Sequence, residues 1–233
     1  MSHTININRI KEVKTALEPL KDNFVFVGGA TVSLYAERMA EEVRPTKDVD
    51  ILVEIFSRWD FAELETKVRQ LGFVNDMTSK FLGRYILGDI IVDLMPTSPE
   101  ILGFANKWYV EGFKASVDYD IDETTKIKIL PAEYFIATKL EAFKNRGGKD
   151  GRFSHDFEDL VFVLDNRNSI WSEIKAANPS LRSYLTEEFK TLMTNPNLEE
   201  WIYAHTAGSS PPPVEYIISN MKAIAAYNED RSS

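Results

Sequence analysis

Apolar positions change their period several times along the chain, and each change marks an element. Ile5, Ile7, Ile10, Val13, Leu17 and Leu20 recur at close to helical spacing, with Thr4 placed to cap the helix start. "FVFVGG" (24–29) follows as a short β-type run ending in two glycines. "ATVSLYAERMAEE" (30–42) then reads as a helix with Val32, Leu34, Tyr35 and Met39 available for burial. "DVDILVEI" (48–55) is a second strand, and Trp59 to Leu71 an amphipathic helix ended by Gly72. "FLGRYILG" (81–88) and "DIIVDLMP" (89–96) predict paired strands about Gly88-Asp89, a sequence suited to a tight hairpin. Pro99 to Tyr109 predicts a short helix and "TKIKIL" (125–130) a last strand.

From Pro131 the period is helical almost throughout. "PAEYFIATKLEAFKNR" (131–146) has proline at a helix start, "GGKDGRFS" (147–154) is a polar glycine-rich loop, and "HDFEDLVFVLDN" (155–166) is the next helix. Three or four more follow to about residue 226, interrupted by "GSSPPP" (208–213). The expected class is α+β: a mixed sheet flanked by helices in residues 1–130, then a helical bundle in 131–233.

Composition narrows the chemistry. With 44% hydrophobic residues in 233, the chain can bury a sizeable core. It has no cysteine, which excludes disulfides, thiolate-bound zinc and thiol catalysis. The net charge of −9, with Lys and Arg scattered, argues against broad coating of nucleic acid but leaves room for a local basic groove. No run approaches the roughly 18 apolar residues of a membrane span, and the N-terminus has no apolar leader, so a cytoplasmic protein with no membrane partner is expected.

Three polar interruptions stand out against this pattern. Residues two apart in a strand share a face, so Asp48 and Asp50 project together while Val49 and Ile51 point the other way. Two such carboxylates repel unless a cation lies between them, and a hard divalent ion takes one or two carboxylates plus phosphate oxygens. The alternative is a solvated strand end facing Lys47 or Arg44. Asp93 interrupts a second apolar β run, where an acid is costly unless paired or metal-bound. Gly28 and Gly29 lie between a strand and a helix, either as a phosphate cradle or as a simple tight turn.

In order, "VGGA", "DVDI" and "VDL" resemble the signature of the DNA polymerase beta-like nucleotidyltransferase superfamily, over residues of roughly 24 to 96. The resemblance implies a nucleotidyltransferase-type sheet and three acids that hold two Mg²⁺ (or Mn²⁺) ions. One ion would activate an acceptor hydroxyl, and the other would hold an NTP for in-line attack with release of pyrophosphate. It makes Asp48 and Asp50 the shared metal ligands and Asp93 the ligand on the hydroxyl side, where it helps deprotonate the acceptor. Gly28 and Gly29 would bracket the triphosphate. Gly29 stands where many members have serine, and Thr31 or Ser33 could supply that hydroxyl.

The second half adds a pattern of its own. Lys139 and Arg146, seven apart, share one helix face, and Asp156 and Asp159 share a face of the next helix. The residues alone allow two salt bridges locking a helical hairpin. With the upstream signature, the set is similar to AbiEii/AbiGii-type nucleotidyltransferases, toxins of abortive-infection and toxin–antitoxin systems. Their core corresponds to Arg44, Thr46, Asp48 and Asp50, and their downstream element to Lys139 with "HDFEDL", His155 standing where arginine is common. This resemblance implies nucleotide contacts from Arg44, Thr46, Lys139 and Arg146. Lys139 would sit at the triphosphate or leaving pyrophosphate, and Asp156 would support catalysis or orient Lys139. Arg84 reads as a solvated strand residue or a phosphate contact. Trp59, Phe61, Phe73, Phe81 and Tyr85 read as core.

The expected activity is Mg²⁺-dependent transfer of NMP from an NTP to a hydroxyl acceptor: an RNA or tRNA 3′ end, or a protein. A toxin role with a cognate antitoxin is implied by the resemblance. An aminoglycoside-type small-molecule nucleotidyltransferase and a non-catalytic nucleotide-binding module are the alternatives.

Overall fold

The computed structural model describes residues 2–20, 23–37, 43–103, 105–206, 209 and 211–229. The chain divides into two compact units, Met1–Ser33 with Glu42–Pro131, and Leu34–Glu41 with Ala132–Ser233.

The first unit opens with α1 (Ser2–Leu17), which buries Ile10, Val13 and Leu17 and leaves Ile5 half exposed. Thr4 lies inside this helix rather than capping it. Strand β1 (Phe24–Val27) follows, buried at every position. The expected helix over 30–42 is instead a 3₁₀ helix, Gly29–Tyr35, and the rest of that stretch, from 38 on, with Met39, falls outside the described residues. The Thr31 N–H and hydroxyl both return to the Gly28 carbonyl, at 3.3 and 3.0 Å, which gives the tighter i→i+3 winding. Then come β2 (Asp48–Val53), α2 (Arg58–Gln70), β3 (Val74–Asn75), β4 (Arg84–Leu87) and β5 (Ile90–Pro96). The hairpin between β4 and β5 turns at Gly88-Asp89 as expected, with Gly88 at φ 61°.

Two short helices, α3 (Pro99–Leu102) and α4 (Tyr109–Lys114), replace the single one expected between Pro99 and Tyr109. Gly103 in the left-handed region ends the first of them. Strands β6 (Val117–Asp120) and β7 (Lys126–Ile129) close the unit. The seven strands form one mixed sheet in the order β3-β4-β5-β2-β1-β7-β6. Strand β2 is central, parallel to β5 and antiparallel to β1.

Trp59 corrects the expected core. It is 79% exposed, because α2 turns Phe61, Leu64 and Val68 inward and Trp59 lies off that stripe. Trp59→Ser is therefore expected to change the unfolding free energy by less than about 0.5 kcal/mol, measured by chemical denaturation. Phe61, Phe73 and Tyr85 are buried, and Phe81 is partly so.

In the second unit α5 (Ala132–Asn145) and α6 (His155–Asn166) form a helical hairpin. It is followed by α7 (Ile170–Ala176), α8 (Pro179–Met193), α9 (Leu198–Thr206) and α10 (Val214–Glu229). The hairpin loop is seated on aromatic rings. Gly151 packs so closely on Trp201 that a Cβ there would come within 2.6 Å of the indole, and His205 Nε2 donates to the Gly151 carbonyl at 2.8 Å. Trp201 meets Phe157 edge-on at 5.6 Å, and Phe143 joins the cluster. No helix among the described residues is long and apolar enough to cross a membrane.

Candidate active site

The site in the first unit follows from strand register. Parallel pairing of β2 with β5 sets Asp50 opposite Asp93, and Asp48 lies two residues back along the same face. The three side chains can each bring one oxygen within 4.8 Å of the others. Asp48 and Asp50 are partly exposed, and Asp93 is buried. Three hard oxygen donors from two fixed strands, open on one side, suit a divalent ion such as Mg²⁺ or Mn²⁺. The carboxylates that the alternation of β2 and the interrupted run of β5 singled out therefore meet in one cluster.

Strand β1 brings the glycine turn to the same place. Val27 pairs with Asp50, so Gly28 follows directly beside that carboxylate. Gly28 has φ +73°, and a Cβ built on it would lie 1.8 Å from Asp50 Oδ2. Only glycine leaves room for the carboxylate and adopts the left-handed backbone without penalty. Gly29 begins the 3₁₀ helix. Ser33 Oγ lies 2.8 Å from His3 Nδ1, while the Thr31 hydroxyl is committed to the Gly28 carbonyl.

Arg44 and Thr46 sit where the chain enters β2. The Asn6 side chain donates to the Arg44 carbonyl at 3.2 Å and accepts from the Thr46 N–H at 2.9 Å. Arg9 donates to the Thr46 carbonyl. The buried Thr46 hydroxyl donates to the Asp48 carbonyl at 3.2 Å. Thr46 thus braces the start of β2, and with it the angle at which Asp48 leaves the strand.

Arg84, which the sequence offers as a solvated strand residue or a phosphate contact, is bound to the acidic cluster instead. It is not a solvated strand residue: β4 pairs it directly with Asp93, and its guanidinium grips that carboxylate with two bonds. Nε donates to Oδ1 at 2.7 Å and Nη2 to Oδ2 at 2.6 Å. These bonds hold the guanidinium above its ordinary range against the opposing effect of partial burial, and the charges of Asp93, Asp48 and Asp50 add to them. Gly83 sets the strand: a Cβ there would stand 2.3 Å from the Leu94 carbonyl, so β4 can lie this close to β5 only without one. The available signal was the two-residue turn at Gly88-Asp89, which fixes residue 84 across from residue 93.

The second unit carries the other expected group. Lys139 Nζ is 2.6 Å from Asp159 Oδ2 and 3.5 Å from Asp156 Oδ1, and Arg146 Nη1 donates to Asp156 Oδ2 at 2.6 Å. Lys139, Asp156 and Asp159 are all buried, whereas Arg146 is exposed. Shared helix faces thus bring all four side chains together, with Asp156 bridging the two cations. A cleft of about 430 Å³ beside them is lined by Arg146, Gly148, Lys149, Phe153, His155 and Asp156. His155, exposed, lies 3.2 Å from Glu158 and takes no part in the cluster.

No protein-family model and no curated protein matches the sequence. Among solved structures, the fold is similar to the antibiotic-resistance factor ANT(2'')-Ia, with a TM-score of 0.52 at 15% identity over 83% of this chain and 97% of that one. An antigenic nucleotidyltransferase-like protein from Paracoccidioides brasiliensis aligns at a TM-score of 0.49 and 15% identity over 88% of this chain and 94% of that one. The mixed sheet, with the carboxylates on its central strands and helices around it, is a nucleotidyltransferase fold.

Proposed function

We propose that the chain is a divalent-metal-dependent nucleotidyltransferase, moving NMP from an NTP to a hydroxyl acceptor with release of pyrophosphate. The observation that carries this reading is the convergence of Asp48, Asp50 and Asp93 beside a turn that only glycine can make. Mg²⁺ or Mn²⁺ held by the three carboxylates would supply Lewis-acid stabilisation of the developing charge and make an acceptor hydroxyl easier to deprotonate. Asp93, the most buried of the three, would draw the acceptor proton. Gly28 and Gly29 leave bare backbone for the triphosphate to approach, and Ser33 is the nearby hydroxyl not already bonded to the turn carbonyl. Lys139, Arg146 and Asp156 belong to this reading through their sequence pattern, as contacts to the nucleotide or leaving pyrophosphate and as support for Lys139.

The protein, with Mg²⁺ or Mn²⁺ and α-labelled NTPs, is expected to transfer label to a component of a cell extract, and a chelator is expected to stop the transfer. Absence of label under every metal and nucleotide combination would sink the proposal.

The AbiEii-type pattern favours an RNA or tRNA 3′ end, or a protein, as acceptor, with a toxin role and a cognate antitoxin. A second reading keeps the chemistry and changes the acceptor to a cationic small molecule. The net charge of −9 favours it, as does the likeness to a factor whose name records antibiotic resistance. Salt separates the two: transfer to tRNA would weaken steeply with ionic strength, because phosphate contacts release counterions.

A further inference from the structure

The site already contains a cation, and it is placed where a metal would compete with it. Asp48, Asp50 and Asp93 bring three negative charges together, and Arg84 is the cation ion-paired with Asp93 among them. Its two hydrogen bonds use one lone pair on each oxygen of Asp93, the acid that the proposed mechanism needs for the acceptor. In-plane bidentate pairing of this kind is the strongest arrangement a guanidinium and a carboxylate can make. The Asp93 carboxylate is well buried, with side-chain exposure of 9%, whereas the Arg84 side chain keeps 28%, so Arg84 is the partner with a route outward.

We infer that Arg84 is a built-in counter-cation that competes with the divalent ion for Asp93. Without metal it neutralises the triad and holds Asp93 in place. A divalent ion held by Asp93 would draw on the same carboxylate charge that Arg84 now neutralises, and would weaken that ion pair. Gly83 and the Gly88-Asp89 turn keep β4 fixed, so the loosened guanidinium stays beside the triad as a donor for phosphate oxygens. Arg84 is thus a positioning residue, acting through Asp93. It sets the occupancy of the site by metal, and favours loading with an NTP, whose phosphates supply a new partner for the guanidinium.

The inference rests on the proposed function, and metal binding without turnover separates the two. Mn²⁺ binding is measured by titration calorimetry and by the loss of free-ion paramagnetic resonance signal, on wild type, Arg84→Gln and Arg84→Lys, without nucleotide. Arg84→Gln removes the competitor and is expected to bind Mn²⁺ about tenfold more tightly or better, since a positive charge within a few ångströms of the ion is gone. Arg84→Lys keeps the charge without the fork and should lie between. The same variants are followed by thermal unfolding. Arg84→Gln should be less stable than wild type without metal and regain more stability on adding Mn²⁺. A purely structural arginine would give the opposite sign: weaker Mn²⁺ binding in Arg84→Gln as the triad loses its shape. Unchanged or weaker binding in both variants overturns the inference and leaves the proposed function standing. No Mn²⁺ binding by wild type or by either variant overturns both.

Discussion

Asp50→Ala is expected to lower label transfer from an α-labelled NTP by at least about 100- to 1,000-fold, the scale of losing one preorganised contact to a transition-state charge. Asp50 is the member of the triad that lies between the glycine turn and Asp93. It pairs with Val27 on one side and Asp93 on the other, and its Oδ2 fills the space that Gly28 leaves. The substitution removes a donor, but it also removes one of three like charges. The metal-free protein is therefore expected to unfold at the same denaturant concentration as wild type or a slightly higher one. Both halves matter. Loss of transfer with unchanged stability assigns the carboxylate to chemistry, whereas loss of both would assign it to the fold. Transfer by Asp50→Ala at the wild-type rate would remove the triad from the mechanism.

Lys139→Met should act in the opposite manner, on stability first. Lys139 is buried and salt-bridged to two buried acids, so removing its charge takes a close cation from Asp159 and one of two from Asp156. Breaking a buried pair from one side costs about 3–5 kcal/mol, because the remaining charge stays desolvated and unpaired. Arg146 also reaches Asp156, so the loss is expected to fall mainly on Asp159, whose ion pair with Lys139 is the shorter of the two. The double variant Lys139→Met with Asp159→Asn is expected to recover much of the loss, since Asp156 keeps Arg146. Denaturant unfolding of the two variants checks this. A loss below about 1 kcal/mol for Lys139→Met would mean that the bridge is not made in solution. A contact of Lys139 with the nucleotide would appear separately, as raised KM for the NTP in Lys139→Arg, which keeps the charge.

What could be read from the sequence was whatever depended on a local period. Asp48 and Asp50 share a face because a strand repeats every two residues, and their meeting with Asp93 needed only that two apolar runs be neighbours. The hairpin at Gly88-Asp89 was legible from its turn residues. Lys139, Arg146, Asp156 and Asp159 were legible from helix faces and a short glycine loop. What escaped depended on register or on exceptions to period. The 3₁₀ helix looked like an α-helix because its apolar spacing is the same over one turn, and only the return of Thr31 to the Gly28 carbonyl sets it apart. Strand β6 was missed because it is a polar edge. Asp118 and Asp120 face outward to Lys128 and Lys126, a charged pattern that protects a sheet margin but reads as loop. Arg84 was undervalued because its worth lies in the residue across the strand. Thr46 stands out in sequence only by its place in a motif, and the bond from its hydroxyl to the Asp48 carbonyl has no local period to announce it.

The contact between Gly28 and Asp50 also gives a rule for sorting sequences. A related chain could keep all three acids and still carry alanine or serine at the position of Gly28. The added carbon would occupy the space of the carboxylate oxygen, 1.8 Å away, and one of the two would have to leave. Such a chain would retain the charge pattern while losing the cradle. Counting acids alone would group it with working enzymes, whereas reading the one glycine would set it aside as a relic.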